Sequence, residues 1–134
     1  MSARHKARKR ALDYLYEADI KKIDPKYLLD QRPIDEISEK SYSEALLNGI
    51  SSHRGRIDDL ISTYAEGWDL DRMPVIDRNI LRIALYEILY GNVDSGVCIS
   101  EALSLSKELS TDDSGQYIHG ILSRIVVLKD GLVL

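Results

Sequence analysis

The chain has 134 residues, 44% hydrophobic and 30% charged, a composition that excludes a disordered chain and supplies a core without covalent staples. Its 18 basic and 22 acidic side chains sum to −4, a balance that by itself does not suggest nucleic acid. The distribution does: Arg4, Lys6, Arg8, Lys9 and Arg10 crowd the first ten residues, where no acid occurs, and leave the remainder at −9.

A single cysteine, Cys98, excludes a disulfide framework and a cysteine-based zinc site. Asp13, Glu17 and Asp19 interrupt the place where the apolar stretch of a secretory leader would lie. No run approaches the roughly 20 apolar residues that span a bilayer. A cytoplasmic protein without membrane contact is expected.

Taken in order, the elements are helical. Ala7, Ala11, Leu15 and Ala18 repeat at spacings of three and four and mark the inner stripe of a first helix. Asp24-Pro25 reads as an N-cap followed by proline in the first turn of a short second helix through Leu28 and Leu29. Ser41, Ala45, Leu46, Gly49 and Ile50 open a third. Ile57, Leu60, Ile61 and Tyr64 either continue it or form a fourth. From Pro74 to Tyr90 the apolar residues cover more than one face, which predicts a central helix buried on most sides and closed by Gly91-Asn92. Val97 to Leu109 forms another, and a last helix starts at the capping pair Asp113-Ser114 and carries Tyr117, Ile118, Ile121, Leu122 and Ile125. Strand signals are almost absent, so the class is all-α with six or seven helices.

Catalytic patterns are missing. His5, His53 and His119 have no metal-ligand spacing with one another or with Cys98, and no phosphate-cradling glycine loop or nucleophile elbow occurs. No enzyme, no metal and no cofactor are expected. Trp68, just upstream of the central helix, is expected to plug the core. Asp77 falls in the first turn of that helix, where the dipole favours an anion, with Arg78 and Arg82 as local pairing candidates.

The basic segment is the clearest functional feature. Arg4 and Arg8 are four apart, as are Lys6 and Arg10, so both pairs flank a helix whose Ala7 and Ala11 face the core. Such a strip can track a phosphate backbone, with counterion release as the driving force. A solvated, frayed terminus is the plain alternative. Tyr14 lies next to the apolar stripe and is expected in the core. Tyr16 lies off it and is the better surface contact.

Five blocks in order resemble one family. Arg8-Lys9-Arg10-Ala11 with Leu15-Tyr16 is similar to the R-x-x-A-x3-L-Y opening of the NusB transcription antitermination family. Leu47-Asn48-Gly49-Ile50 resembles its L-x-G-V element. Trp68 with Asp77-Arg78-Asn79-Ile80-Leu81-Arg82-Ile83-Ala84-Leu85-Tyr86-Glu87 resembles its D-R-x-I-L-R-x-A-x-Y-E block. Ile99-Ser100-Glu101-Ala102 and Asp113-Ser114-Gly115-Gln116-Tyr117 resemble the last two. The resemblance spans about residues 4 to 125.

It implies a single all-α domain over 1–134, about seven helices in two small helical bundles sharing a core, with no catalytic activity. It implies binding of boxA single-stranded RNA in ribosomal RNA operon leaders, together with NusE, a small-subunit ribosomal protein. The complex would join elongating RNA polymerase with other Nus factors and suppress termination. Some members form homodimers, and a protein-interaction module with its RNA surface covered is the alternative. Carried over residue by residue, the RNA contacts fall on Arg4, Lys6, Arg8, Arg10, Asp113 and Tyr117, and the partner contacts on Tyr16 and Asp77. Gln116 and His119 depart from the family's usual Lys and Asn, which removes one cation from the RNA side.

Overall fold

The computed structural model describes residues 2–35, 39–132 and 134. Seven α-helices account for most of them: α1 (Ala3–Lys21), α2 (Pro25–Gln31), α3 (Lys40–Ser52), α4 (Arg54–Tyr64), α5 (Val75–Leu89), α6 (Ser95–Leu109) and α7 (Ser114–Leu128). Short 3-10 turns lie at Leu70–Arg72 and Lys129–Gly131, and no strand occurs among the described residues.

Local chemistry explains most of the boundaries. The Ser2 hydroxyl caps α1 by accepting from the His5 N–H at 3.0 Å, and Lys22 ends the helix in the left-handed region at φ 57°. Asp24 caps α2 through the Lys26 N–H, with Pro25 at the first helical position. α3 and α4 are separate helices that meet at His53, whose φ of −114° and ψ of 17° interrupt the helical path. α5 follows Pro74 and ends where the Gly91 N–H turns back to the Tyr86 carbonyl, with Asn92 at φ 54°. Asp113 precedes α7 but makes no side-chain cap bond. The expected capping pair therefore works differently, with the Ser114 hydroxyl directed to Asp77 instead.

α1, α2 and α3 pack as one small bundle and α4, α5, α6 and α7 as another, and α5 also lies against α1 and α3. The core is continuous across both. Ala7, Ala11, Leu15 and Ala18 are buried on α1, as are Ile80, Leu81, Ile83, Ala84, Leu85 and Ile88 on α5. Close approach of α3 to α5 needs Gly49, because a Cβ there would fall 2.2 Å from the Tyr86 ring.

α5 also carries charge inward. Arg82, 3% exposed, reaches Asp19 of α1 at 2.9 Å and Asp58 of α4 at 2.8 Å. Arg78 makes two 2.7 Å bonds to the same Asp19, and Asn79 donates to it at 2.9 Å. The expected local pairing of Arg78 and Arg82 with Asp77 does not form. Adjacent positions diverge around a helix, and both guanidiniums face α1 while Asp77 faces the other way.

Burial opposes ionisation of Asp19, but the hydrogen bonds from Arg78 and Asn79 and the charges of Arg82 and Arg78 outweigh it and hold the carboxyl at about 2. A carboxyl depressed in the folded state adds stability above its unfolded pKa near 3.8 and loses it as pH falls toward 2. After allowance for solvent screening this is about 1–2 kcal/mol. In denaturant titrations the stability gap between wild type and Asp19→Asn is expected to narrow by that amount between pH 4 and pH 2.

Candidate nucleic-acid interface

The basic segment is folded as the first turns of α1, and the structure sorts its cations by what lies opposite them. Arg8 is internal. It is 3% exposed, its Nε donates to both carboxylate oxygens of Glu87 at 3.0 Å, Nη2 lies 3.0 Å from Glu87 Oε2, and Nη1 lies 3.2 Å from Glu101. Glu87, 1% exposed, also accepts from the Tyr42 hydroxyl. Burial works to lower the pKa of Arg8, yet the Glu87 hydrogen bond and charge raise it, so the guanidinium stays charged. Burial and the Glu87 carboxylate together push the Tyr42 hydroxyl upward.

The other cations face outward. The Arg4 Nε donates to Glu39 at 3.3 Å, and its guanidinium lies 4.0 Å from the centre of the Tyr42 ring. Lys9 pairs with Glu108 at 2.5 Å. Lys6 is exposed and Arg10 half-buried, and neither forms an ion pair among the described residues. His5, 5% exposed, lies between Glu101 at 2.5 Å and Glu108 at 3.4 Å, so α1 is tied to α6 along this edge.

Asp77 is fully buried, not a surface contact. It accepts from the hydroxyls of Ser110, Ser114 and Tyr117, which fixes the α6–α7 corner to the start of α5. Asp113 is exposed on that corner. Tyr117 is half-buried, with its hydroxyl pushed upward by burial and by Asp77. Tyr16 is 41% exposed and Tyr14 buried, with the Tyr14 hydroxyl donating to the Arg32 carbonyl at 2.7 Å. Trp68 corrects the expectation of a core plug. It is 46% exposed, because it sits in the turn after α4, and Ala65 and Met73 fill the core there. Its ring stacks on Tyr117 with centres 5.1 Å apart.

Two residues expected at contacts, Arg8 at a phosphate and Asp77 at a partner, are thus buried and already bonded within the chain. Each had a signal in the spacing. Arg8 shares a helix face with Leu12 and Leu15, and Asp77 shares one with Ile80, Leu81 and Ala84. Tyr42, Glu87 and Glu101, which fix the arm, were not recognisable as a set, since they lie on three different helices.

The NusB family model matches residues 5–127. The chain belongs to the NusB family. The transcription antitermination protein NusB of Salinispora arenicola is 49% identical over 93% of this chain and 96% of its own length. That of Thermobifida fusca is 45% identical over 98% and 94%. Among solved structures, T. maritima NusB superposes with a TM-score of 0.86 at 32% identity, covering 95% of this chain and 92% of its own. A chain from a crystal structure of antitermination factors NusB and NusE with double-stranded RNA shares the fold, with a TM-score of 0.79 at 24% identity over 95% and 98%. The function that accompanies NusB membership is transcription antitermination. The all-α class and the two-bundle arrangement expected from the resemblance are those observed. Among the described residues no helix is long and apolar enough to cross a membrane.

Removing one partner of a buried ion pair leaves the other charge uncompensated, at about 3–5 kcal/mol. Arg8→Ala is expected to lose stability on that scale in chemical denaturation, whereas Lys6→Ala and Arg10→Ala stay within about 0.5 kcal/mol of wild type. Asp77→Ala deprives three hydroxyls of their common acceptor and is expected to cost about 3 kcal/mol.

Proposed function

We propose that this NusB-family chain is a single-domain, non-catalytic cytoplasmic adaptor that binds boxA-type single-stranded RNA together with NusE and thereby joins elongating RNA polymerase with other Nus factors. The observation that carries the reading is the cationic outer face of α1. Lys6 and Arg10 point away from the core without a carboxylate partner among the described residues, on a helix whose register Arg8 pins from beneath. Arg4, also at this end, is held only by an exposed pair and an aromatic face, which a phosphate can replace. Tyr16 remains available as a partner contact, and the net −9 of the residues after position 10 suits a basic ribosomal protein. The reading also draws on the NusB–NusE–RNA assembly solved for a chain of the same fold.

The test is titration of a boxA RNA, with and without NusE, at several salt concentrations. With Arg4, Lys6 and Arg10 each neutralising one phosphate, log Kobs should fall against log salt with a slope of about −2, at roughly −0.7 per contact on a single strand. The double variant Lys6→Ala/Arg10→Ala should flatten the slope by about 1.4. A dimer silent to both RNA and NusE, or a slope unmoved by the double variant, would overturn the reading.

A further inference from the structure

Glu108 occupies a position that helix chemistry disfavours. It lies in the last turn of α6, where the carbonyl end of the helix repels an anion. Glu39, the partner of Arg4, has the opposite setting, since it stands at the start of α3, where an acid is favoured.

The fold does not account for Glu108 either. α6 is already fixed to the first turns of α1 by His5 and Arg8, which meet Glu101 at 2.5 and 3.2 Å. His5 and Arg8 are buried. The Lys9 and Glu108 side chains are 38% and 30% exposed, and an ion pair so wetted adds little to stability.

What Glu108 does is hold a cation of the basic strip. Its Oε1 lies 2.5 Å from the Lys9 Nζ and its Oε2 3.4 Å from the His5 Nε2, so the carboxylate is gripped at both oxygens. The hydrogen bonds from Lys9 and His5 keep its carboxyl below the usual carboxylate range, and it stays an anion at neutral pH. Lys9 and Lys6, three residues apart, are neighbours on the surface of α1, and Arg10 adjoins Lys9. A strand that meets Lys6 and Arg10 therefore passes Lys9. A phosphate oxygen there competes for the ammonium with a carboxylate that is tethered in place.

We propose that Glu108 is a built-in competitor of the RNA backbone: it holds Lys9 out of contact with phosphate and so limits how strongly the basic strip grips any strand. The proposal rests on the RNA-binding reading above and adds to it a residue that opposes binding. Phosphate contacts carry no sequence information, so a strip with every cation available would hold all strands alike. Withholding one leaves a larger share of the binding to base contacts and to NusE.

Wild type, Glu108→Gln, Lys9→Gln and the double variant are compared by anisotropy of a labelled boxA RNA with NusE present, from about 0.1 to 1 M salt, and again with a scrambled strand of the same length. Glu108→Gln turns Lys9 into one more phosphate contact and should steepen the log–log salt slope by about 0.7. Across that decade of salt the change amounts to roughly five-fold tighter binding at the low end, equal for both strands. Lys9→Gln alone should leave the wild-type slope where it is, and the double variant should lose the gain. Both side chains are at the surface, and circular dichroism melts check that all variants fold. If wild type binds no RNA, the RNA reading fails and takes the proposal with it. If wild type binds and Glu108→Gln matches it in slope and affinity, the competitor role alone is overturned. A slope flattened by Lys9→Gln alone would mean that Lys9 already meets a phosphate. A gain that survives in the double variant would mean general repulsion of a polyanion, and a gain confined to the boxA strand a base contact. Each of these three results overturns the proposal.

Discussion

The Arg8–Glu87 ion pair has 3% and 1% of its two residues in contact with water, so neither charge has solvent to fall back on. Desolvating two such charges costs several kcal/mol each, and their attraction offsets this only where geometry is good and the spare lone pairs are satisfied. Both conditions hold. The guanidinium meets the carboxylate through Nε and Nη2, Tyr42 donates to the same carboxylate, and Glu101 takes the remaining edge of the guanidinium. Four helices, α1, α3, α5 and α6, therefore meet at one charged point. Slipping α1 by a single residue would rotate its side chains by about 100° and leave Glu87 buried without its cation. The pair fixes register, and with it the direction in which Lys6 and Arg10 face.

The same logic recurs along α5. Apolar packing draws the helices together without specifying which face meets which, because the hydrophobic effect has no direction. The buried polar residues of α5 supply that direction. Asp77 answers the hydroxyls of the α6–α7 corner, Asn79 and Arg82 answer Asp19 on α1, Arg82 also answers Asp58 on α4, and Glu87 answers Arg8 and Tyr42. Each neighbour of the central helix has its own polar key, and a wrong pairing would strand a charge out of water. This explains why so apolar a helix retains acids and arginines that a simple core would exclude.

The helices were legible in the sequence because their signals are local: a stripe at spacings of three and four, an Asp-Pro start, a Gly-Asn stop. The burial of Arg8 and Asp77 was far less so. A guanidinium reads as a surface group until the carboxylate that receives it is known, and Glu87 lies 79 positions away. Trp68 failed in the opposite direction. Its size and apolarity argued for the core, but it falls in a turn outside every helical stripe, where position outweighs hydrophobicity. What the sequence conveyed well was the asymmetry of charge; what it withheld was how much of that charge is already neutralised inside the molecule.

That neutralisation changes how an RNA could be held. Of the five cations in the first ten residues, Arg8 is sealed inside, while Arg4 and Lys9 already have carboxylate partners. Exchanging a carboxylate for a phosphate releases the carboxylate to water and gains less than capturing a phosphate with an unpaired cation. The electrostatic term is therefore smaller than the raw count of five suggests. An acidic body of net −9 also repels a polyanion beyond the arm, though salt screens it past about one Debye length. Affinity at physiological salt must then come from terms that salt does not weaken. Aromatic surfaces held in fixed orientation within this chain, His53 on Tyr90 and Trp68 on Tyr117 among them, and contacts supplied by a basic partner that covers the acidic face are terms of that kind.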